Sequence, residues 1–215
     1  MSRFINEMTR VIKQEGVTVT PDAENNTTDV TFNNSPFCVI HPNGIRFHRD
    51  HIDTDEKKSL LSRIQDHYLN VAEYISAYEN APPLKAQGLE DGYNLLAEYN
   101  RVVLAVKDQG QHGYIFATWD RTYNDTGVTL GHYSYDYESA KEDFAVRAGL
   151  VSKHKIFDND QMKDIYRALH YYRNENEDIT IKQDDELKEI MEKIKYALPD
   201  AESALEQSSG MDMNM

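Results

Sequence analysis

The sequence has one cysteine, no long apolar run and few positive charges, and each shortage excludes a class of protein. Cys38 is the single cysteine among 215 residues, so an internal disulfide and a zinc site built from thiolates are excluded. No apolar run approaches the roughly 20 residues that span a bilayer. The N-terminal residues MSRFINEMTR also lack the hydrophobic core of a signal peptide. We therefore expect a cytoplasmic protein without a membrane partner.

The charge of the chain is strongly unbalanced. Lysine and arginine number 23 against 37 aspartates and glutamates, which gives a net charge of −14. Direct binding to nucleic acid is not expected, because contacts with phosphates need a positive surface. An acidic surface instead favours a basic protein partner, such as an enzyme with a positive channel for nucleic acid. The alternative is that the acidity only keeps the protein in solution.

The N-terminal part has the pattern of a helix followed by a β-meander. Apolar residues at helical spacing predict a helix over 2–14. Short apolar runs separated by turn residues predict four strands, at 17–20, 29–33, 37–41 and 45–48. The residues predicted to form one half-buried face alternate along these strands: Val30, Phe32, Val39, Ile45 and Phe47.

A long helix is predicted next. Apolar residues recur at steps of three and four from residue 55 to residue 80, with Asp53 or Thr54 as the cap. At 1.5 Å per residue, such a helix is roughly 39 Å long. Pro82 and Pro83 end it, because proline cannot continue the hydrogen-bond ladder.

The block 93–150 is the richest in aromatic and apolar residues and predicts a second meander closed by a helix. Strands are predicted at 95–99, 102–107, 113–119 and 128–134. Gly131, inside the last of these strands, predicts a bulge or a close approach of two backbones. Asp136 is placed to cap the helix, and Gly149 to end it.

Two further helices are predicted towards the C-terminus. Asp158 or Asn159 caps the first of them, and the second runs from Asp185 to Leu198.

These patterns together predict an α+β protein: two small antiparallel β-meanders, each followed by helices, joined by the long helix and a segment rich in proline and glycine. Residues 1–81 are predicted to form an N-terminal domain, 82–92 a linker, and 93–198 a C-terminal domain of meander and helices. Residues 199–215 have few large apolar side chains and are predicted to be a disordered tail.

Two groups of residues are candidates for a catalytic or metal site. His48, His51 and Asp53 offer nitrogen and oxygen ligands for a divalent metal, but the stretch lies between a strand and a helix cap and has no complete metal motif. The spacing around Gly131 and His132 matches neither of the phosphate-binding motifs GxGxxG and GxxxxGK(S/T). No nucleophile is placed to complete a catalytic triad. We therefore expect no catalytic residue, no metal ion and no cofactor.

Tyrosines that stand beside acidic residues are the candidate partner-binding residues. The chain has 14 tyrosines, and tyrosine is enriched at protein interfaces because it offers apolar area with a polar tip. The alternative is that they are half-buried residues of sheets and helices. The residues selected are Tyr133, Tyr135, Asp136, Tyr137, Glu138, Glu142 and Asp143 around one helix start, and Asp184, Asp185, Glu186 and Glu189 near the last helix.

Part of the sequence resembles a small uncharacterised domain carried by conjugative elements, plasmids and phages of anaerobic gut bacteria. The resemblance covers about 93–172 and lies in EYNxVVLA, GYxFxTW, TGVTLGHY and YExAKEDFAxRxGL. Arg101 departs from the pattern, which usually has glycine after the asparagine of the turn. The resemblance implies a protein of a bacterial mobile element, and it assigns no catalytic residue.

Acidity and the mobile-element setting lead to a hypothesis of function. Small acidic proteins of such elements include anti-CRISPR inhibitors of the type II CRISPR nuclease, so we expect a non-enzymatic inhibitor whose acidic, tyrosine-rich surface imitates nucleic acid. One alternative is an accessory module that docks onto a conjugation or DNA-modification protein. Another is a metal-dependent enzyme that uses His48, His51 and Asp53.

Overall fold

The computed structural model describes residues 1–89, 92–152, 156–176, 178–202 and 205. Contacts divide the chain into two compact units, Met1–Val151 and Ser152–Met215. The described residues form two four-stranded antiparallel sheets and five α-helices, so the predicted α+β class is confirmed. None of these helices is both long enough and apolar enough to cross a membrane.

The first unit begins with a short helix and the first sheet. Helix α1 (Arg3–Val11) starts where the Ser2 hydroxyl accepts a hydrogen bond from the Ile5 N–H, and a 3₁₀ turn then leads to Gly16. The strands follow in chain order, each antiparallel to the next: β1 (Thr18–Asp22), β2 (Thr27–Phe32), β3 (Ser35–His41) and β4 (Gly44–Arg46).

A register shift in this sheet changes which residues face the core. The pairing of β2 with β3 shifts between Val30 and Thr31, so Phe37 and Cys38 are both buried. Val39 is only half-buried, and Phe47 lies beyond β4 and is 43% exposed. The predicted face is therefore wrong at Val39, because Val30 pairs with Cys38 and Val39 lies on the other face of the sheet. It is also wrong at Phe47, because this residue lies outside the strand.

Helix α2 (Asp55–Asn80) has the predicted bounds, and Thr54 caps it by accepting a hydrogen bond from the Lys57 N–H. The second sheet also runs in chain order: β5 (Tyr93–Tyr99), β6 (Val102–Asp108), β7 (Tyr114–Arg121) and β8 (Val128–Ser134). Helix α3 (Tyr137–Arg147) follows, with Asp136 as its cap. Asn100 and Arg101 turn between β5 and β6 with φ of 47° and 65°, so Arg101 takes the left-handed conformation that glycine favours.

One hydrophobic core joins both sheets of the first unit. It contains Val30 and Phe37 from the first sheet, Val106 and Phe116 from the second, and Tyr74 of α2 between them. The centroid of the Tyr74 ring lies 5.5 Å from the ring centroid of Tyr114 and 5.3 Å from that of Phe116. The division of the chain by contacts consequently falls at 151/152 and not within 82–92.

The described part of the segment predicted as a linker is packed against the second sheet. Leu84 N–H donates to Tyr93 O and Leu95 N–H to Pro82 O, both at 2.8 Å. Gln87 N–H donates to Thr126 O at 2.7 Å. Leu84 and Leu89 cover a second cluster on this sheet, which is built around Trp119. This segment therefore covers one face of the second sheet.

The second unit contains a pair of helices. They are α4 (Asn159–Glu175), capped by Asp158, and α5 (Ile181–Ala197), capped by Thr180. Their shared core is Tyr166, Met191, Ile194, Leu198 and Ala201. Helix α5 thus begins before the predicted Asp185, because Thr180 and Gln183 form a reciprocal capping box.

The predicted disordered tail lies mostly outside the described residues. Ala201 is fully buried and Leu205 packs against the same core, so these two residues belong to the second unit. Residues 203–204 and 206–215 are not among those described.

Candidate protein-interaction surface

Strand β8 forms one edge of the second sheet and is exposed along most of its length. It pairs with β7 on one side, and within the described residues no strand pairs with its other side. Residues 129–133 are all exposed. An edge strand offers free N–H and C=O groups, which another chain can use for pairing. We call β8 together with the exposed part of α3 the β8–α3 surface.

Two neighbouring residues give β8 an irregular backbone. Leu130 has a φ of 52° although it is not glycine, and its side chain is 68% exposed. A Cβ at Gly131 would collide with the indole nitrogen of Trp119. The pairing of β7 with β8 also shifts register between Thr118 and Asp120. The bulge predicted at Gly131 is confirmed, but the group that approaches Gly131 closely is the Trp119 side chain and not a second backbone.

Asp143 fastens α3 to the sheet. Its Oδ1 lies 2.9 Å from His132 Nδ1, and its Oδ2 accepts a hydrogen bond from the Thr118 hydroxyl. Arg147, one turn further along α3, donates to Thr118 Oγ1 and to Leu130 O, both at 2.8 Å. It also forms an ion pair with Asp120 at 3.0 Å. These contacts hold the exposed face of β8 in a fixed position beside α3.

The His132–Asp143 contact resembles the base-orienting half of an acid–base site. A cleft of about 280 Å³ beside it is lined by Thr118, Ser134 and Ser139. Among the described residues, however, the His132 ring has no hydrogen bond other than that to Asp143. The described geometry therefore supplies a positioned histidine without a bonded nucleophile.

The sequence-predicted residues around α3 lie in different settings. Tyr133 and Tyr135 are 60% and 65% exposed. Asp136 accepts a hydrogen bond from the Ser139 N–H at 2.7 Å as the helix cap. Glu138 pairs with Lys141 at 2.9 Å. Glu142 is exposed and has no ion pair among the described contacts.

 Among the predicted contact residues around α3, the exposed ones are therefore Tyr133, Tyr135, Asp136, Glu138 and Glu142.

Tyr137 belongs to the core and not to the surface. It is 6% exposed, and its ring lies 5.5 Å from that of Tyr74 and 5.0 Å from that of Phe116. Burial raises the pKa of its phenol to about 12. The first residue after the Asp136 cap faces inward, so the prediction of Tyr137 as a contact residue is corrected.

The second predicted group lies on α5, in the second unit. Asp184 is bonded to Arg173 at 2.5 Å and to Lys188 at 2.6 Å, and the hydrogen bond from Arg173 contributes most to lowering its pKa. Each of the other three has a lysine nearby: Asp185 with Lys188, Glu186 with Lys182, and Glu189 with Lys193. Local pairing therefore offsets part of the negative charge of this group.

Two of the candidate metal ligands, Asp53 and His48, have other partners. Asp53 pairs with Lys57 at 2.7 Å, and His48 Nδ1 lies 3.4 Å from Asp50 Oδ2. Across the described part of the chain, no group of three or more histidine, cysteine, aspartate or glutamate residues could hold a metal ion.

Sequence reasoning missed the contact of His132 with Asp143, and with it the roles of Thr118 and Arg147. These residues come from two strands and a helix, so their spacing in the chain gives no signal. The glycine before His132 was the one local indication of unusual geometry. Comparison with known proteins adds nothing to this: no family model, curated protein or solved structure matches the chain.

Proposed function

We propose that this protein is a non-enzymatic inhibitor that binds another protein through the β8–α3 surface. The observation that carries the proposal is an open edge strand with exposed tyrosines, held rigidly beside acidic residues of α3. Tyr133 and Tyr135 are exposed, and the Asp143 contacts fix the strand that carries Tyr133. A surface that is ordered before binding loses less entropy when it binds.

The charge of the chain supports a basic partner. The net charge is −14, and opposite charge on the target would speed association and favour correct orientation. Nucleases with a positive channel for nucleic acid have such a surface. Together with the resemblance to mobile-element domains, this makes the type II CRISPR nuclease of a bacterial host, with or without guide RNA, the proposed target.

The first test is a pull-down of the tagged protein with a purified type II nuclease, with and without guide RNA, followed by a DNA cleavage assay. Binding with loss of cleavage is the expected result. No binding in either state would contradict this target. Binding to a conjugation or DNA-modification protein would then support the alternative, an accessory module of the same mobile element.

A second test locates the binding surface. Tyr133→Ala combined with Tyr135→Ala, and separately Glu142→Lys, should weaken binding, because the tyrosines supply contact area and Glu142 supplies charge. Tyr99→Ala and Glu24→Lys are matched controls, since both residues are exposed and lie outside the β8–α3 surface. Equal affinity of test and control variants would place the contact elsewhere on the molecule.

A further inference from the structure

A second feature of the first unit is a cleft beside helix α1 with an excess of positive charge. It has a volume of about 520 Å³, within the range of about 300–1,000 Å³ that is usual for small-molecule sites. The charged residues that line it are Arg3, Glu7, Arg10, Lys13 and Asp108. Three cations against two acids is the opposite of the balance in the whole chain, where acids exceed bases by 14.

Arg10 is held in this cleft by a buried carboxylate. Glu7 is 4% exposed, and its two oxygens accept hydrogen bonds from Arg10 Nε at 2.8 Å and Nη2 at 2.6 Å. The Tyr74 hydroxyl donates to the same carboxylate at 2.7 Å. The hydrogen bond with Glu7 also raises the pKa of Arg10, so the guanidinium is a permanent charge in a fixed orientation.

Gly113 makes room for this arrangement. It has a φ of 78°, and a Cβ at this position would collide with the Arg10 guanidinium. The guanidinium therefore lies directly against the Gly113 backbone. Its third nitrogen, Nη1, has no hydrogen-bond partner among the described residues, and the Arg10 side chain is 40% exposed.

The charged groups that line the cleft sum to +1, and among the described residues Lys13 is the cation that lacks an acidic partner. Lys13 is exposed and has no ion pair within the described part of the chain. Arg3 has only a long contact with Glu79, at 3.9 Å, and lies over the Tyr78 ring. Asp108 already accepts a hydrogen bond from the Gly110 N–H at 2.7 Å. An arginine needed only to neutralise Glu7 would require neither Lys13 nor an open cleft.

We propose that this cleft binds a small ligand through a phosphate group. Arg10 Nη1 and Lys13 Nζ donate to the phosphate oxygens, and Arg3 adds a third positive charge. Guanidinium and ammonium groups are the usual phosphate ligands in proteins, and a guanidinium fixed in advance loses little freedom on binding. The site is separate from the β8–α3 surface, so the inference does not depend on the proposed inhibitor function.

The test is a titration of the ¹⁵N-labelled full-length protein, followed by NMR. The probes are inorganic phosphate, glucose 6-phosphate, glucose and succinate. Saturable shifts of the amide signals of Gly110, Gln111 and Lys13 are expected with the two phosphate compounds and not with glucose. Tighter binding of glucose 6-phosphate than of inorganic phosphate would support an ester as the ligand, and equal binding would support free phosphate.

Variants make the test specific. Lys13→Gln should weaken phosphate binding about tenfold, because a charge-assisted hydrogen bond is lost. Lys85→Gln is the matched control, since Lys85 is exposed and does not line the cleft. Gly113→Ala should displace the guanidinium and weaken binding further, and Lys13→Gln still provides the test if that variant does not fold. Absence of saturable shifts, equal effects of the two lysine variants, or equally tight binding of succinate would overturn the proposal.

Discussion

Leu130 and Gly131 are neighbours in β8. The backbone conformation at position 130 favours glycine, which is not present there, whereas the space at position 131 admits only glycine. Leu130 adopts a left-handed conformation, with a φ of 52°, that is unfavourable for a residue with a Cβ. Gly131 has no room for a Cβ because the Trp119 indole lies against it. The same exchange between glycine and a larger residue should therefore have opposite effects at the two positions.

Leu130→Gly should raise the free energy of unfolding by about 0.5–1 kcal/mol, because it removes backbone strain and the Leu130 side chain is largely exposed. Gly131→Ala should lower it by about 1–3 kcal/mol through the collision with Trp119. Urea denaturation followed by tryptophan fluorescence measures both changes. A loss of stability in both variants would show that the left-handed backbone at Leu130 carries no strain.

A buried thiol and a buried phenol should make the protein less stable at high pH. Burial raises the pKa of the Cys38 thiol to about 12, and that of the Tyr137 phenol also to about 12. In the unfolded chain these groups titrate near about 8.5 and about 10. Between those values and 12 the unfolded state binds fewer protons than the folded state, so stability falls as the pH rises.

The expected loss from Cys38 is up to about 1.4 kcal/mol per pH unit above about 8.5. Urea denaturation at a series of pH values measures it. Cys38→Ala should remove the part of the loss that begins near pH 8.5 and keep the part that begins near pH 10. An unchanged pH profile in this variant would contradict the assignment to Cys38.

At the scale of the element, Arg147 and Asp143 join α3 to the edge of the second sheet, and Arg147 makes the larger number of these contacts. Arg147 contacts Thr118, Asp120 and Leu130, and its side chain is only 13% exposed. The rigidity of the β8–α3 surface depends on these contacts, because β8 pairs with only one strand among the described residues.

Arg147→Met should lower the free energy of unfolding by about 2–3 kcal/mol, since several buried or partly buried partners lose their hydrogen bonds. The substitution should also speed hydrogen exchange more in β8 than in β6, which lies inside the sheet. Arg49→Met is the control, because Arg49 is exposed and its side chain has no contact of this kind among the described residues. Unchanged exchange in β8 would show that Arg147 does not hold this strand.

At the scale of the whole molecule, the first unit depends on contacts between residues far apart in the sequence. Tyr74 of α2 packs against Tyr114, Phe116 and Tyr137 of the second sheet and α3. Neither sheet of this unit therefore has a complete core of its own. A boundary at residue 81 would leave the inner face of α2 exposed to water.

A chain of residues 1–81 should consequently lack a cooperative thermal transition, whereas a chain of residues 1–151 should keep one. The reason is that the shorter chain loses the apolar partners of Val71, Tyr74 and Ile75, which are buried in the intact unit. Thermal denaturation followed by circular dichroism measures both. A cooperative transition in the 1–81 chain would mean that the first sheet and its helices fold without the second sheet.

Features that depend on near neighbours could be predicted from the sequence. The bounds of α2, the Asp136 cap, the α+β class and the bulge at Gly131 follow from residues within a few positions of one another. Even at this range the start of α5 is hard to predict, because the Thr180–Gln183 capping box lies within a polar stretch. The candidate tyrosines and acids also rest on local patterns, which cannot separate buried Tyr137 from exposed Tyr135.

Composition and local periodicity by themselves determined the acidity of this protein, its class of fold and most of its elements. Only the tertiary structure decided that both sheets share one core, that the 82–89 segment covers a sheet, and that His132 meets Asp143. The same holds for the contact of Glu7 with Tyr74, which orients Arg10 in the cleft beside α1. Caps and periodic faces are set by residues one or two turns apart, whereas burial and ion pairing depend on which distant segments pack together.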